Sequence, residues 1–123
     1  KEGFMLIDWR QDFAGNLDSG DLYYDLAKLY HSLTISHEIV NLNHYKIEIS
    51  AENIACEIYR RSELVYCTQV LESYIAQRGF DLKKVRILSS IIWLNMSPLH
   101  HHPFDLFLFN FGKLNLWRAL ELE

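Results

Sequence analysis

Asp8, Asp21 and Asp25 are the residues whose type and spacing could do chemistry in this chain. Asp8 ends a short apolar run, Leu6-Ile7, and is followed by Trp9. A buried strand that carries a carboxylate to its own end can hold a metal ion against a phosphate, because phosphoryl transfer spreads negative charge that the metal offsets. Spacing alone favours a plainer role for Asp8, as the polar residue that ends a strand. Asp21 and Asp25 lie four apart, so on a helix they share one face near its positive end. The cap of that helix accounts fully for Asp21. It accounts less well for Asp25, which sits among Tyr24, Leu26 and Ala27. If Asp25 is buried it needs partners, such as the backbone N–H groups of a neighbouring loop.

Other candidates have bland readings. His100-His101-His102 invites a metal site, but adjacent side chains point in different directions and rarely converge on one ion. They are expected to form a solvated or cleft-lining connector. Cys56 and Cys67 have neither metal nor redox spacing and are expected to be buried free thiols, which suits a reducing cytoplasm. Phe104, Phe107, Phe109, Phe111 and Trp117 are expected to be mainly core, with Phe109 and Trp117 free to cover an interface.

Phe4 to Trp9 reads as a short buried strand that delivers Asp8. Residues 10–20 read as a loop, with turn signals at Gly15-Asn16 and Asp18-Ser19-Gly20. Asp21 caps a helix that runs to about Ser32–His37 and places Leu22, Leu26, Leu29 and Leu33 on its core face. The segment from His44 to Ser50 alternates, with Tyr45, Ile47 and Ile49 on one side. Asn53 to Arg60 alternates less cleanly, so the two form a hairpin turning near residues 50–53, or the second half starts a helix. Ser62 to Arg78 is a helix capped by Ser62 and ended by Gly79, with Leu64, Val65, Cys67, Val70, Leu71 and Tyr74 on or near one face. Asp81 caps the next helix, which runs to about Met96 through Val85, Leu88, Ile91, Ile92 and Leu94 until Ser97-Pro98 stops it. Pro103 suits the first turn of a last helix running to about Leu122. The expected fold class is mainly α (α+β), with one or two small β-hairpins or strands.

The bulk properties narrow the classes of function. A chain of 123 residues fits one domain with one sizeable core. Half of the residues are hydrophobic and 14% are aromatic, which excludes disorder and fits a domain that packs against something else. A net charge of −4 with no long basic run, the densest being Arg60-Arg61 and Lys83-Lys84, gives no nucleic-acid footprint. No apolar stretch approaches the ~18 residues of a membrane helix, and no signal peptide is visible. No nucleic-acid or membrane partner is therefore expected.

The run "LIDW", a loop, then "GDLYYDLAKL" resembles the motif after the catalytic loop of aminoglycoside phosphotransferase and choline kinase-like enzymes. That family shares the protein-kinase-like fold. The resemblance implies that Asp8 is a Mg²⁺ ligand, that Trp9 holds the aromatic position beside it, and that Asp25 braces the catalytic loop from below. More loosely, Ser90-Ile91-Ile92-Trp93, Ser97, Pro103-Phe104-Asp105 and Lys113 resemble the helical end of choline kinase-like proteins of bacterial surface-polysaccharide pathways. In them aromatic residues help bind the acceptor, which falls here on Trp93.

The family's His-x-Asp-x-x-x-x-Asn loop, a Gly-rich phosphate loop and a Val-Ala-x-Lys strand do not occur in this sequence. The expectation is a helical C-terminal lobe, residues 1–123, of a kinase-like enzyme whose nucleotide-binding lobe and catalytic loop lie elsewhere. Its parent would use ATP and Mg²⁺ to phosphorylate a hydroxyl of choline, an amino alcohol or a sugar-like molecule, in lipopolysaccharide or capsule biosynthesis. The fragment itself would bind neither and would not turn over. The alternative is a non-catalytic helical interaction module or a degenerate kinase-like binding domain. Exposed apolar surface on a separated lobe would drive self-association.

Overall fold

A computed structural model describes Gly3 and residues 12–121 of the chain. The strand expected over Phe4–Trp9, and with it Asp8, lies outside the described residues. Asp21 opens the first helix, α1 (Leu22–Thr34), where its Oδ1 accepts from the Tyr23 N–H at 2.8 Å. A short helix absent from the sequence reading, α2 (His37–Asn41), follows. Strands β1 (Tyr45–Ile49) and β2 (Ile54–Ile58) then pair antiparallel, Tyr45 opposite Ile58 and Ile49 opposite Ile54. Three helices complete the order: α3 (Ser62–Gln77), α4 (Leu82–Met96) and α5 (Phe104–Glu121), with a 3-10 turn at Ser97–Leu99 between the last two. The fold is mainly helical, with a single two-stranded sheet among the described residues.

The helix ends follow local chemistry. Asp81 caps α4 by accepting from the Lys84 N–H at 3.1 Å, and Gly79 ends the α3 segment in a left-handed conformation (φ +74°) that favours glycine. Ser62 does not cap α3. The cap position is Arg61, and the Ser62 hydroxyl donates to Glu63 Oε2 instead. The hairpin turns where expected: Ser50 N–H donates to the Asn53 carbonyl at 2.8 Å, and Ser50 Oγ accepts from the Asn53 N–H. The helical alternative for its second half is overturned by the β2 pairing.

Two clusters make the core. Leu26 and Ala27 of α1 meet Leu71 and Ile75 of α3 and Val85 of α4. Ile35, Trp93, Phe104, Phe107 and Leu108 form the second, which the inner face of the hairpin covers with Tyr45, Ile47, Cys56 and Ile58. Several expected core residues are displaced. Leu22 and Leu29 of α1 are exposed, and the buried face is instead Leu26, Ala27, His31 and Thr34. On α3, Val70, Tyr74 and Cys67 are exposed while Thr68, Leu71 and Ile75 face inward. Both cysteines are free, as expected, but Cys56 is half-buried and Cys67 open to solvent, so the pair is not buried.

Small residues let the helices approach. Ala27, Ser89 and Ser90 are buried where α4 meets its neighbours. The Ser89 hydroxyl lies 2.9 Å from the Val85 carbonyl and 3.1 Å from that of Ala27, tying α4 to α1. A Cβ on Gly112 would stand 3.0 Å from Leu94 Cγ and 3.1 Å from the Ser90 carbonyl, so α5 lies on α4 at a distance that suits glycine. With Ser97 Oγ donating to the Asp105 carbonyl at one end and Lys83 Nζ donating to the Leu120 carbonyl at the other, α4 and α5 run antiparallel.

Candidate functional site

Asp21 and Asp25 stand at the N-terminal end of α1, both exposed. Asp25 therefore needs no buried partner, and its backbone N–H donates to the Asp21 carbonyl at 3.3 Å. The loop before α1 has a defined shape. Phe13 and Asn16 exchange backbone hydrogen bonds at 2.9 and 3.0 Å around Ala14 and Gly15, both in the left-handed region. Asn16 Oδ1 accepts from the Asp18 N–H at 2.9 Å. The Phe13 ring then packs edge-on against Tyr24, 5.7 Å between centroids, which holds this loop on the helix that carries Asp25.

Trp93 is not brought to that end. It meets α1 at His31, with the rings stacked 6.2 Å apart, and it meets Phe111 of α5 edge-on at 4.9 Å. Only 2% of the residue is exposed. It forms part of the wall of a cavity of about 520 Å³ bounded by α1, β2, α4, α5 and the β2–α3 connection. That volume falls in the range of small-molecule sites.

The same wall carries Arg60, Lys83, Arg86 and Arg118, and no aspartate or glutamate. Behind it, Glu72 of α3 accepts from Arg86 at 2.8 Å and from the Tyr30 hydroxyl at 3.0 Å. Burial, and then the Glu72 charge, raise the Tyr30 phenol above its ordinary range. Arg60 donates to the Leu33 carbonyl at 2.9 Å and to Thr68 Oγ1 at 2.6 Å. Burial lowers its pKa from the ordinary arginine value. These four cations escaped the sequence reading as a group because they stand on three separate segments. The only signals were the dipeptides Arg60-Arg61 and Lys83-Lys84. A cationic acceptor resting on Trp93 would face this positive wall.

The histidine run behaves as a connector. His100 is half-buried with its ring edge-on to Phe104 at 5.0 Å, while His101 and His102 are exposed. His102 Nδ1 lies 3.4 Å from Asp105 Oδ1. Among the described residues no three His, Cys, Asp or Glu side chains group to hold a metal. No helix among them is long and apolar enough to cross a membrane. Comparison with family models, curated proteins and solved structures finds no match to this chain.

Proposed function

We propose that the chain is the helical lobe of an ATP-dependent phosphotransferase of the aminoglycoside phosphotransferase and choline kinase-like kind. Its acceptor would be a hydroxyl of choline, an amino alcohol or a sugar-like molecule, in a cytoplasmic step of lipopolysaccharide or capsule synthesis. The observation that carries the reading is the order of the run from Leu6 to Ala27: an apolar stretch ending in Asp8-Trp9, a turn-rich loop, and a helix opening on Asp21 with Asp25 in its first turn. The cap at Asp21 and the packing of Phe13 on Tyr24 give the loop just before α1 a defined shape.

Mg²⁺ would rest on Asp8 and would offset the charge that builds on the transferred phosphoryl group. The described residues add no cluster of ligands to it. Asp25 would hold the shape of a loop supplied from outside this chain. Joined to its upstream lobe, the protein is expected to transfer phosphate from ATP. Asp8→Ala should then cut the rate on the order of 100-fold or more, since a bound metal contributes several kcal/mol to such transition states. Transfer at an unchanged rate would refute the metal role.

A second reading, a non-catalytic helical interaction module, is favoured by one feature of α3. Tyr66, Val70 and Tyr74 are spaced four apart and are 66%, 50% and 45% exposed, an apolar stripe on one helix face. We propose that it drives self-association. Light scattering on concentrated protein is expected to give a dimer or larger species, and Val70→Glu to shift it towards the monomer. A strict monomer in the parent chain would remove this proposal.

A further inference from the structure

We propose that the cavity between α1, α4, α5 and the β2–α3 connection binds a small anionic molecule bearing phosphate or carboxylate groups. The inference goes beyond the phosphotransferase reading and does not rest on it.

Charge is the first argument. Four cations and no acid line the cavity, in a chain whose net charge is −4. Glu72 neutralises Arg86 from behind. Arg60, Lys83 and Arg118 have no carboxylate partner among the described residues. For Lys83 and Arg118, which are exposed, water suffices. Arg60 is different: its guanidinium is partly desolvated, its hydrogen-bond acceptors Leu33 and Thr68 are neutral, and burial outweighs the Glu72 charge that reaches it. A partly buried cation without a directly paired counter-charge is unfavourable, and an anion in the cavity would supply one.

Unused donors are the second argument. Arg60 Nε and Trp93 Nε1 are both buried and without a hydrogen-bond partner. Each carries a hydrogen and can only donate. Two wall residues thus hold N–H groups that lack an acceptor, and a buried donor without one costs about 1–3 kcal/mol. Neither atom is open to the cavity as the wall stands, so an acceptor oxygen reaches them only when the Arg60 and Trp93 side chains turn; the four cations carry the preference for an anion. The third argument is shape. The apolar wall of Ile58, Leu82 and Phe111 gives a carbon skeleton a surface to rest on. A concave site of this size fits a small molecule rather than the backbone of a nucleic acid.

The test is calorimetric titration of the whole chain with pyrophosphate in one arm and citrate in the other, followed also by the NMR shift of the Trp93 indole N–H. One saturable site for at least one probe is expected, with movement of the Trp93 signal. The stronger arm tells phosphate from carboxylate chemistry. Arg118→Gln is expected to weaken binding about 10- to 100-fold, the loss of one charge-assisted hydrogen bond. Arg118 is exposed and holds no hydrogen bond or ion pair among the described residues, whereas Arg60 ties α1 to α3, so the first is the cleaner variant. Arg61→Gln removes the same charge from a residue outside the cavity, paired with Glu38 and Glu63, and should change binding less than about twofold. The proposal is overturned if neither probe saturates at millimolar concentration, if both variants weaken binding equally, or if Trp93 does not respond.

Discussion

Phe107→Ala is expected to lower the stability of this chain by about 3–5 kcal/mol, measured by urea denaturation. Domains of this size are stable by about 5–15 kcal/mol in all, so the variant should lie near its unfolding midpoint in water. Phe107 is fully buried, and three aromatic rings depend on it. It stacks on Phe104 at 5.9 Å and on Phe111 at 5.2 Å, and Tyr45 of β1 tilts against it at 5.1 Å. Its loss would open a void between α5 and the hairpin. Phe107→Leu, which keeps most of the volume, should lose roughly half as much. Phe109, two residues along the same helix, is 49% exposed. Phe109→Ala should change stability by about 0.5 kcal/mol or less. Equal losses at the two positions would contradict the placement of the α5 core face.

That contrast shows which parts of the fold were legible. All five aromatic residues of the last helix were expected to be mainly core, with Phe109 and Trp117 free to cover an interface; Phe104 and Phe107 are buried, while Phe109 and Trp117 are exposed. Segment ends were legible wherever one residue decides them: Asp21 and Asp81 as caps, Gly79 as a stop, Ser50 and Asn53 as a turn. The core faces of α1 and α3 were not. On α1, Leu22, Leu26, Leu29 and Leu33 form one helical row and Leu26, Ala27, His31 and Thr34 another, and apolarity alone picks the leucines. The structure takes the row with small and polar members because α4 crosses closely there. Ser89 and Ser90 are tolerated in that crossing because their hydroxyls donate to the carbonyls of Val85 and Arg86, one turn back. A hydrophobicity count sees such serines as surface.

The candidate sites divide in the same way. Of the acidic run, Asp21 as a cap and Asp25 in the first turn of α1 could be placed because they are close in sequence, while Asp8 lies outside the described residues. The cationic cavity was not legible, since Arg60 precedes α3 while Arg86 and Arg118 lie on α4 and α5, and only antiparallel packing of the last two helices sets them around one space. Trp93 was singled out for its chemistry as an acceptor-binding aromatic. Its surroundings assign it the wall of a positively charged cavity, a role that depends on neighbours remote in sequence.

Lowering the pH from 7.5 to 4.5 is expected to remove about 2 kcal/mol of stability through His31 alone. Burial, with a smaller contribution from the Lys28 charge, lowers the His31 imidazole from 6.5 to about 4. Its Nε2 lies 2.9 Å from Met96 Sδ, its ring stacks on Trp93, and its Nδ1 is buried without a partner. Burial and the Lys28 charge both disfavour a second proton, so the folded chain holds His31 neutral. The unfolded chain takes up the proton near 6.5, and between that pH and about 4 it binds more protons than the folded chain does. Stability from this residue is therefore level above pH 6.5, falls as the pH drops towards 4, and is lost below it. A full shift of this size would correspond to about 1.4 kcal/mol per pKa unit, reduced here because the ring is not wholly cut off from water. Carboxylates also titrate in this range, so the measurement is a difference of differences. Urea midpoints of the parent and His31→Leu are compared at pH 7.5 and 4.5. The parent should lose about 2 kcal/mol more than the variant on acidification. Identical losses would mean that the His31 pocket admits the proton without cost, and that burial and Lys28 do not oppose it.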